Sequence, residues 1–175
     1  MRFPLQPSRA NPAGMKAILA ITAALAAAPL AAAEPTSEQA EVIAAADAFF
    51  FALGSTRKTD LAEVMLPEGM IFVHNRMTPD APRVDIVPVA QHLERWARTS
   101  GRFMEEMRYD TVLVDGDMAQ VWGPYVFVTN SEVAHCGINS LSLVKTESGW
   151  KVANTSFTME RPSECNRLGA PGFEQ

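Results

Sequence analysis

The chain has 175 residues, with 20 acidic against 15 basic side chains and a formal net charge of −5. That length allows one domain with a real core. The acidic balance leaves no electrostatic footprint for nucleic acid or anionic lipid, so neither is expected as a partner.

Residues 1–14 read as an upstream extension, with Met15 as the initiator. From Met15 the chain runs MKAILAITAALAAAPLAAAEP: one Lys, an apolar run, then small residues before Glu34. This is the build of a secretory signal peptide ending near Ala33, and it predicts a periplasmic or secreted protein. The apolar run is short and Ala-rich for a membrane span. No Cys stands near the cleavage point, which argues against a lipid anchor. Loss of residues 1–33 as a whole takes Arg2, Arg9 and Lys16 but no acidic residue, so the mature chain is more acidic still.

The domain is expected over residues 34–161, followed by a tail over 162–175. Thr36 and Gln39 have capping-box spacing at the start of a helix that Gly54 would end. Val42, Ile43, Ala46, Phe49, Phe50 and Leu53 recur along it at helical intervals. Ala45, Ala48 and Ala52 on the other side predict cover on more than one face. Asp60 and Glu63 repeat the capping pattern before a short helix over 61–66, so Asp60 reads as a cap. Residues 69–76 alternate as a short strand, with His74 following Met70 and Phe72 on one face. A Pro-rich loop over 78–83 precedes a third helix near Pro88, where Val89, His92, Leu93 and Trp96 form one stripe. His92 reads first as a packed border residue and second as part of a site.

Beyond Glu105 the period becomes two. Strands are expected over 105–114, 118–129, 134–145 and 150–160, joined by hairpins at Asp115-Gly116-Asp117, near Asn130-Ser131 and at Glu147-Ser148-Gly149. Helices followed by this meander predict an α+β domain: N-terminal helices in the concave face of a strongly curved antiparallel sheet, a conical α+β barrel.

Hairpin parity sorts residues by face. The first turn puts Arg108, Asp110, Val112, Val114, Ala119 and Val121 on one face, taken as inward. Met107, Tyr109, Thr111, Leu113, Met118, Gln120 and Trp122 fall on the other. The last turn groups Leu143, Leu141, Asn139 and His135 with Val152, Asn154, Ser156 and Glu160. That face grades from apolar to polar, as the interior of a cone with a polar mouth would. The middle junction stays open: a two-residue turn separates Tyr125 from His135, and a longer loop or a bulge near Gly123-Pro124 unites them.

Cys136 and Cys165 both survive processing, and an even pair in an exported protein reads as a disulfide. Closing that loop of roughly 30 residues would add about 3–4 kcal/mol on the chain-entropy estimate. Free thiols, or a metal pair with His135, are the alternative. The three His residues show no HxH or HxxxH spacing, so no metal site is expected. Phosphate loops, nucleophile elbows and thioredoxin-type Cys pairs are absent from the sequence, and no cofactor is expected.

Helices first, then a bent sheet containing Val114-Asp115-Gly116-Asp117-Met118-Ala119 and ending in Gly149-Trp150-Lys151-Val152, resembles the nuclear transport factor 2-like superfamily. The resemblance spans about residues 37–161 and includes SnoaL-like polyketide cyclases and ketosteroid isomerases. Val121-Trp122-Gly123-Pro124-Tyr125, His135-Cys136-Gly137 and the late Cys165 look like an exported bacterial subgroup of unknown role. The resemblance implies a conical pocket, frequent dimers and small apolar or aromatic ligands. It does not by itself imply catalysis.

A ketosteroid-isomerase-like site needs an Asp base facing a Tyr and a protonated Asp. Asp110 and Tyr125 match two of these, and the second acid has no counterpart. Scytalone-dehydratase-like chemistry could draw on His135, His74, Asp110 and Tyr125. An Asp-Arg-Asp set could draw on Arg108 and Asp110, one acid short.

The leading expectation is thus an exported protein whose pocket binds a small apolar or aromatic molecule. Its candidate lining is His74, Trp122, Tyr125, His135, Asn139, Asn154 and Ser156. The alternative is an isomerase, dehydratase or cyclase with His135 or Asp110 as general base and Tyr125 or His74 as oxyanion donor. A third reading is an interaction module, in which the sheet face around Trp122 and Tyr109 forms a homodimer or docks another exported protein.

Overall fold

A computed structural model describes residues 34–172. The segments expected to be an upstream extension and a signal peptide lie outside these residues. No helix among them is long and apolar enough to cross a membrane.

Helix α1 (Ser37–Gly54) begins at the expected capping box. Thr36 Oγ1 accepts from the Gln39 amide, and Gln39 Oε1 accepts from the Thr36 amide at 2.9 Å. The Gln39 side chain also donates to Val112 O at 2.8 Å, so the cap ties helix to sheet. Val42, Ala46, Phe49 and Leu53 form the buried stripe, while Phe51 is 80% exposed. A 3-10 turn (Lys58–Asp60) leads into α2 (Leu61–Val64). Asp60 does not cap this helix with its side chain. Instead its carboxylate accepts from Ser55 Oγ at 2.7 Å and pairs with Arg57, which holds its pKa below the usual range.

Strand β1 (Met70–Asn75) is followed by β2 (Arg83–Pro88), an edge strand within what the sequence reads as loop and helix start. Pro88 then precedes α3 (Val89–Trp96). The expected long strand over 105–114 is two pieces, β3 (Phe103–Met107) and β4 (Thr111–Asp115). Strands β5 (Met118–Thr129), β6 (Glu132–Thr146) and β7 (Gly149–Met159) complete the meander. A 3-10 turn (Pro162–Glu164) and α4 (Cys165–Leu168) form the tail.

The sheet runs β2-β1-β7-β6-β5-β3, with β4 also on β5. It is curved and unclosed, with helices in its concave face. It is mixed rather than purely antiparallel, because β1 lies parallel to β7. The return from β1 through β2, α3 and the meander is long enough to permit that direction. Val121, Leu141, Leu143 and Val152 on the sheet close on Val42, Ala46 and Leu61 to make the core.

Three one-residue irregularities decide the faces. Met107 pairs Tyr125, yet Thr111 pairs Trp122, so the β3–β4 side carries an extra residue. Met107 and Tyr109 therefore turn to the core, and Arg108 and Asp110 turn away from it, reversing the expected parity. On β6, Val133 pairs Val128 and His135 pairs Phe127, leaving Ala134 as a bulge. On β7, Asn154 pairs Ser142 and Val152 pairs Leu143, leaving Ala153 as another. Each bulge flips every residue beyond it to the opposite face.

Cys136 and Cys165 are joined, with 5.6 Å between their Cα atoms. The bond ties the tail to the convex side of β6, beside Val126 and Val133. Arg108 adds a second tether by donating to Gly169 O at 2.7 Å.

Candidate functional site

A cavity of about 250 Å³ lies between α1, α3 and the concave face of the sheet. Helix α1 contributes Phe49 and Leu53, and α3 contributes His92, Arg95 and Trp96. The sheet brings Ile71, Val73, Phe127, Leu141 and Phe157, together with Glu105, His135, Asn139 and Thr155. The wall is mainly apolar, with a few converging polar groups, as small-molecule sites tend to be. A wider and more open cleft of about 510 Å³ follows the other side of β3, past Phe51, Met104 and Glu106. It is shallow and lacks the enclosed apolar walls of the inner cavity.

Two of the sequence candidates, His135 and Asn139, line the cavity. Tyr125 sits behind them, on the same face as His135 because of the Ala134 bulge. It is only 1% exposed, and its hydroxyl donates to Thr158 O at 2.8 Å. Since that proton is committed, the 3.1 Å contact between Tyr125 Oη and His135 Nδ1 needs a proton from the imidazole. His135 is thus the Nδ1–H tautomer, and its Nε2 keeps a bare lone pair. Burial pushes the His135 pKa down to about 4, so the ring is neutral at physiological pH. Its ring stacks on Phe127 at 4.9 Å.

The other candidates lie elsewhere. His74 Nε2 and Ser156 Oγ meet at 3.1 Å on the convex face. Asn154 Oδ1, also on that face, accepts from the Met70 amide at 2.9 Å. The Ala153 bulge is the reason: it turns Thr155 and Phe157 inward in place of Asn154 and Ser156. Trp122 is 49% exposed on the same convex face. Asp110 forms an exposed ion pair with Arg108, 2.7 Å between Oδ1 and Nε, away from the cavity. It supplies no acid to the site.

The acid is Glu105. The sequence reading placed it only at the start of a strand, and the extra residue after Met107 hid its inward parity. The signal available was an acid flanked at two-residue spacing by Phe103 and Met107. Asn139, only 3% exposed, donates from Nδ2 to Glu105 Oε1 at 2.6 Å. What accessible surface Glu105 keeps faces the cleft and the cavity on either side of β3, within dense protein. Burial pushes its carboxyl up to about 7, partly opposed by the Asn139 bond. The cavity thus holds a carboxyl poised near neutrality and an imidazole kept neutral, a pairing suited to moving protons. His92 stacks on Trp96 at 5.6 Å, and burial, aided by the Arg95 charge, lowers its pKa.

Tyr125→Phe removes the acceptor for His135 Nδ1–H and the donor to Thr158 O. Losing these buried bonds is expected to cost about 1–3 kcal/mol. Chemical denaturation checks this, and an unchanged midpoint would mean the hydroxyl contributes nothing.

Among the described residues, no group of three or more His, Cys, Asp or Glu side chains is gathered to hold a metal ion. No protein-family model matches the sequence, and no curated protein matches it. Solved structures do. A bent, unclosed mixed sheet with helices packed in its concave face defines a class of cone-shaped α+β folds. Within that class, the chain has the nuclear transport factor 2-like fold.

It is similar to the beta subunit of a proposed aromatic-ring-hydroxylating dioxygenase from Novosphingobium aromaticivorans (TM-score 0.57, 12% identity, 71% of this chain and 90% of that one). A proposed dehydratase of the NTF2-like family from Streptomyces avermitilis gives TM-score 0.56 and 15% identity over 70% of this chain and 95% of that one. An NTF2-like protein of unknown function from Shewanella baltica gives TM-score 0.52 and 12% identity over 73% and 99%. At such identities the likeness is one of architecture.

Proposed function

We propose that this protein binds a small molecule with a mainly apolar or aromatic body in the inner cavity. One observation carries the reading: a cavity of about 250 Å³, walled by aromatic and aliphatic side chains, on which Glu105, Asn139 and His135 converge. An engineered cavity of about 150 Å³ is enough for benzene, so this one has room for a ring with substituents. A thermal-shift screen of apolar and aromatic metabolites tests it. A ligand at 100 times its dissociation constant should add about 2.7 kcal/mol of stability. No shift from any class would sink the proposal.

A second reading, a proton-transfer enzyme of the isomerase or dehydratase kind, is favoured by the raised Glu105 and the bare His135 Nε2. Glu105 would exchange a proton with bound substrate, and His135 Nε2 would accept one from a hydroxyl. Turnover lost in Glu105→Gln with binding kept would support it; equal turnover in that variant would end it.

Export to the periplasm or beyond is part of the same proposal, supported by the Met15–Ala33 segment, and localisation of the tagged full chain checks it. The convex face, with Leu113, Met118 and Trp122 exposed, supports the third reading of a homodimer or docking surface. A monomeric mass in solution would count against its homodimer form.

A further inference from the structure

We propose that the cavity takes a hydroxylated aromatic carboxylate, its hydroxyl donating to His135 Nε2 and its carboxylate seated on Arg95. This rests on reading the cavity as a ligand site, and adds the chemical class of the ligand.

His135 supplies the first half. Its Nδ1 is committed to Tyr125, and no described residue hydrogen-bonds to Nε2. An unpartnered lone pair on the cavity lining selects a donor. A carbonyl or ether placed there would set lone pair against lone pair, whereas a hydroxyl completes the bond. Because the ring is neutral, it offers no positive charge to an anion, so the anionic end of a ligand has to be met elsewhere.

Arg95 supplies the second half. It stands in the last turn of α3, lines the cavity and is near enough to His92 for its charge to depress that imidazole. Among the described residues no carboxylate lies within ion-pair distance of Arg95, Arg98, Arg102 or Arg161, and of these four only Arg95 lines the cavity. Glu105, the carboxylate of the lining, is bonded to Asn139 and not to Arg95. A guanidinium left free beside an apolar cavity offers a two-pronged donor that fits a carboxylate. Its presence is notable in a chain whose overall charge repels anions.

The walls between these groups favour a ring. Phe127 lies flat on His135, with 11° between the ring planes, and Phe49, Trp96 and Phe157 add further aromatic wall. Aromatic faces and edges of this kind hold a planar ring in offset or edge-on contact.

Calorimetric titration at neutral pH with four probes tests the class. They are para-hydroxyphenylpropanoate, phenylpropanoate (no hydroxyl), para-hydroxyphenylpropanamide (no charge) and para-ethylphenol (hydroxyl without the carboxylate arm). The hydroxy acid should bind tightest, with each deletion weakening affinity about tenfold. Arg95→Ala, at an exposed position, should lower hydroxy-acid affinity about tenfold and leave the amide unchanged. If the amide binds as tightly as the acid, or Arg95→Ala has no effect on the acid, the carboxylate assignment is overturned. If phenylpropanoate matches the hydroxy acid, the His135 assignment is overturned. In each of those cases some probe still binds, so the cavity reading stands. Silence from all four probes, together with silence from the wider screen, overturns both.

Discussion

Glu105→Gln is expected to make the protein more stable than the wild type above pH 7, by up to about 3 kcal/mol, and to change little below pH 4.5. The reason is the folded-state shift of this carboxyl from 4.5 up to about 7. Between those values the folded chain holds a proton that the unfolded chain has released. Stability is therefore fully present below the unfolded value and is lost as pH rises through the folded one. Glutamine keeps the acceptor for Asn139 but cannot ionise, so it escapes that loss.

His135 works in the opposite direction. Its pKa falls from 6.5 to about 4 on folding, so its contribution is present above 6.5 and is lost as pH falls through 4. The two slopes oppose each other between pH 4.5 and 6.5 in the wild type. In Glu105→Gln the rising slope of His135 should stand alone. Denaturation curves across pH 4 to 8 decide the matter. A constant offset between variant and wild type at every pH would show that Glu105 does not titrate near neutrality.

Reduction of the Cys136–Cys165 bond, or Cys165→Ser, is expected to cost about 3–4 kcal/mol. The bond closes a loop spanning 29 positions, and breaking it restores that freedom to the unfolded chain. The tail would also loosen over Val126, which is buried on the convex side of the sheet near Cys165. Exposing it would add to the loss. The native state would keep two local holds, the paired backbone bonds between Cys136 and Glu160 and the bond from Arg108 to Gly169 O. For a domain this size the melting point should fall by roughly 10 °C or more. Melting with and without reductant measures it, and free-thiol labelling under denaturing conditions shows whether the bond was present. An equal melting temperature in both would mean that the loop's freedom does not limit stability.

Much of this fold is legible from residue pattern. The Thr36–Gln39 box, the stripe from Val42 to Leu53 and the switch to period two each follow from local geometry, which neighbouring residues set by themselves. The hairpin at Gly116-Asp117 is equally local, since Gly116 takes a positive φ of 60° that its lack of a side chain permits. The tight turn at Asn130-Ser131 is local as well, with positive φ at both residues as a two-residue hairpin turn requires. The disulfide, too, could be anticipated from two cysteines in a chain expected to be exported.

The composition of the site was decided by the tertiary structure. Sheet parity carries over from one residue to the next, so one added residue reverses every assignment beyond it. The bulge at Ala153 exchanged Asn154 and Ser156 for Thr155 and Phe157, and the bulge at Ala134 brought His135 onto the face of Tyr125. The extra residue after Met107 sent Asp110 to solvent and Glu105 into the cavity. Nothing within a few residues of Ala134 or Ala153 signals such an irregularity, because a bulge is selected by the packing of the partner strands. Likewise, a carboxyl that titrates near 7 is a property of what surrounds it. Asn139, which bonds Glu105, and the aromatic residues Phe127 and Phe157 of the same cavity come from other strands, and only the folded sheet brings them together.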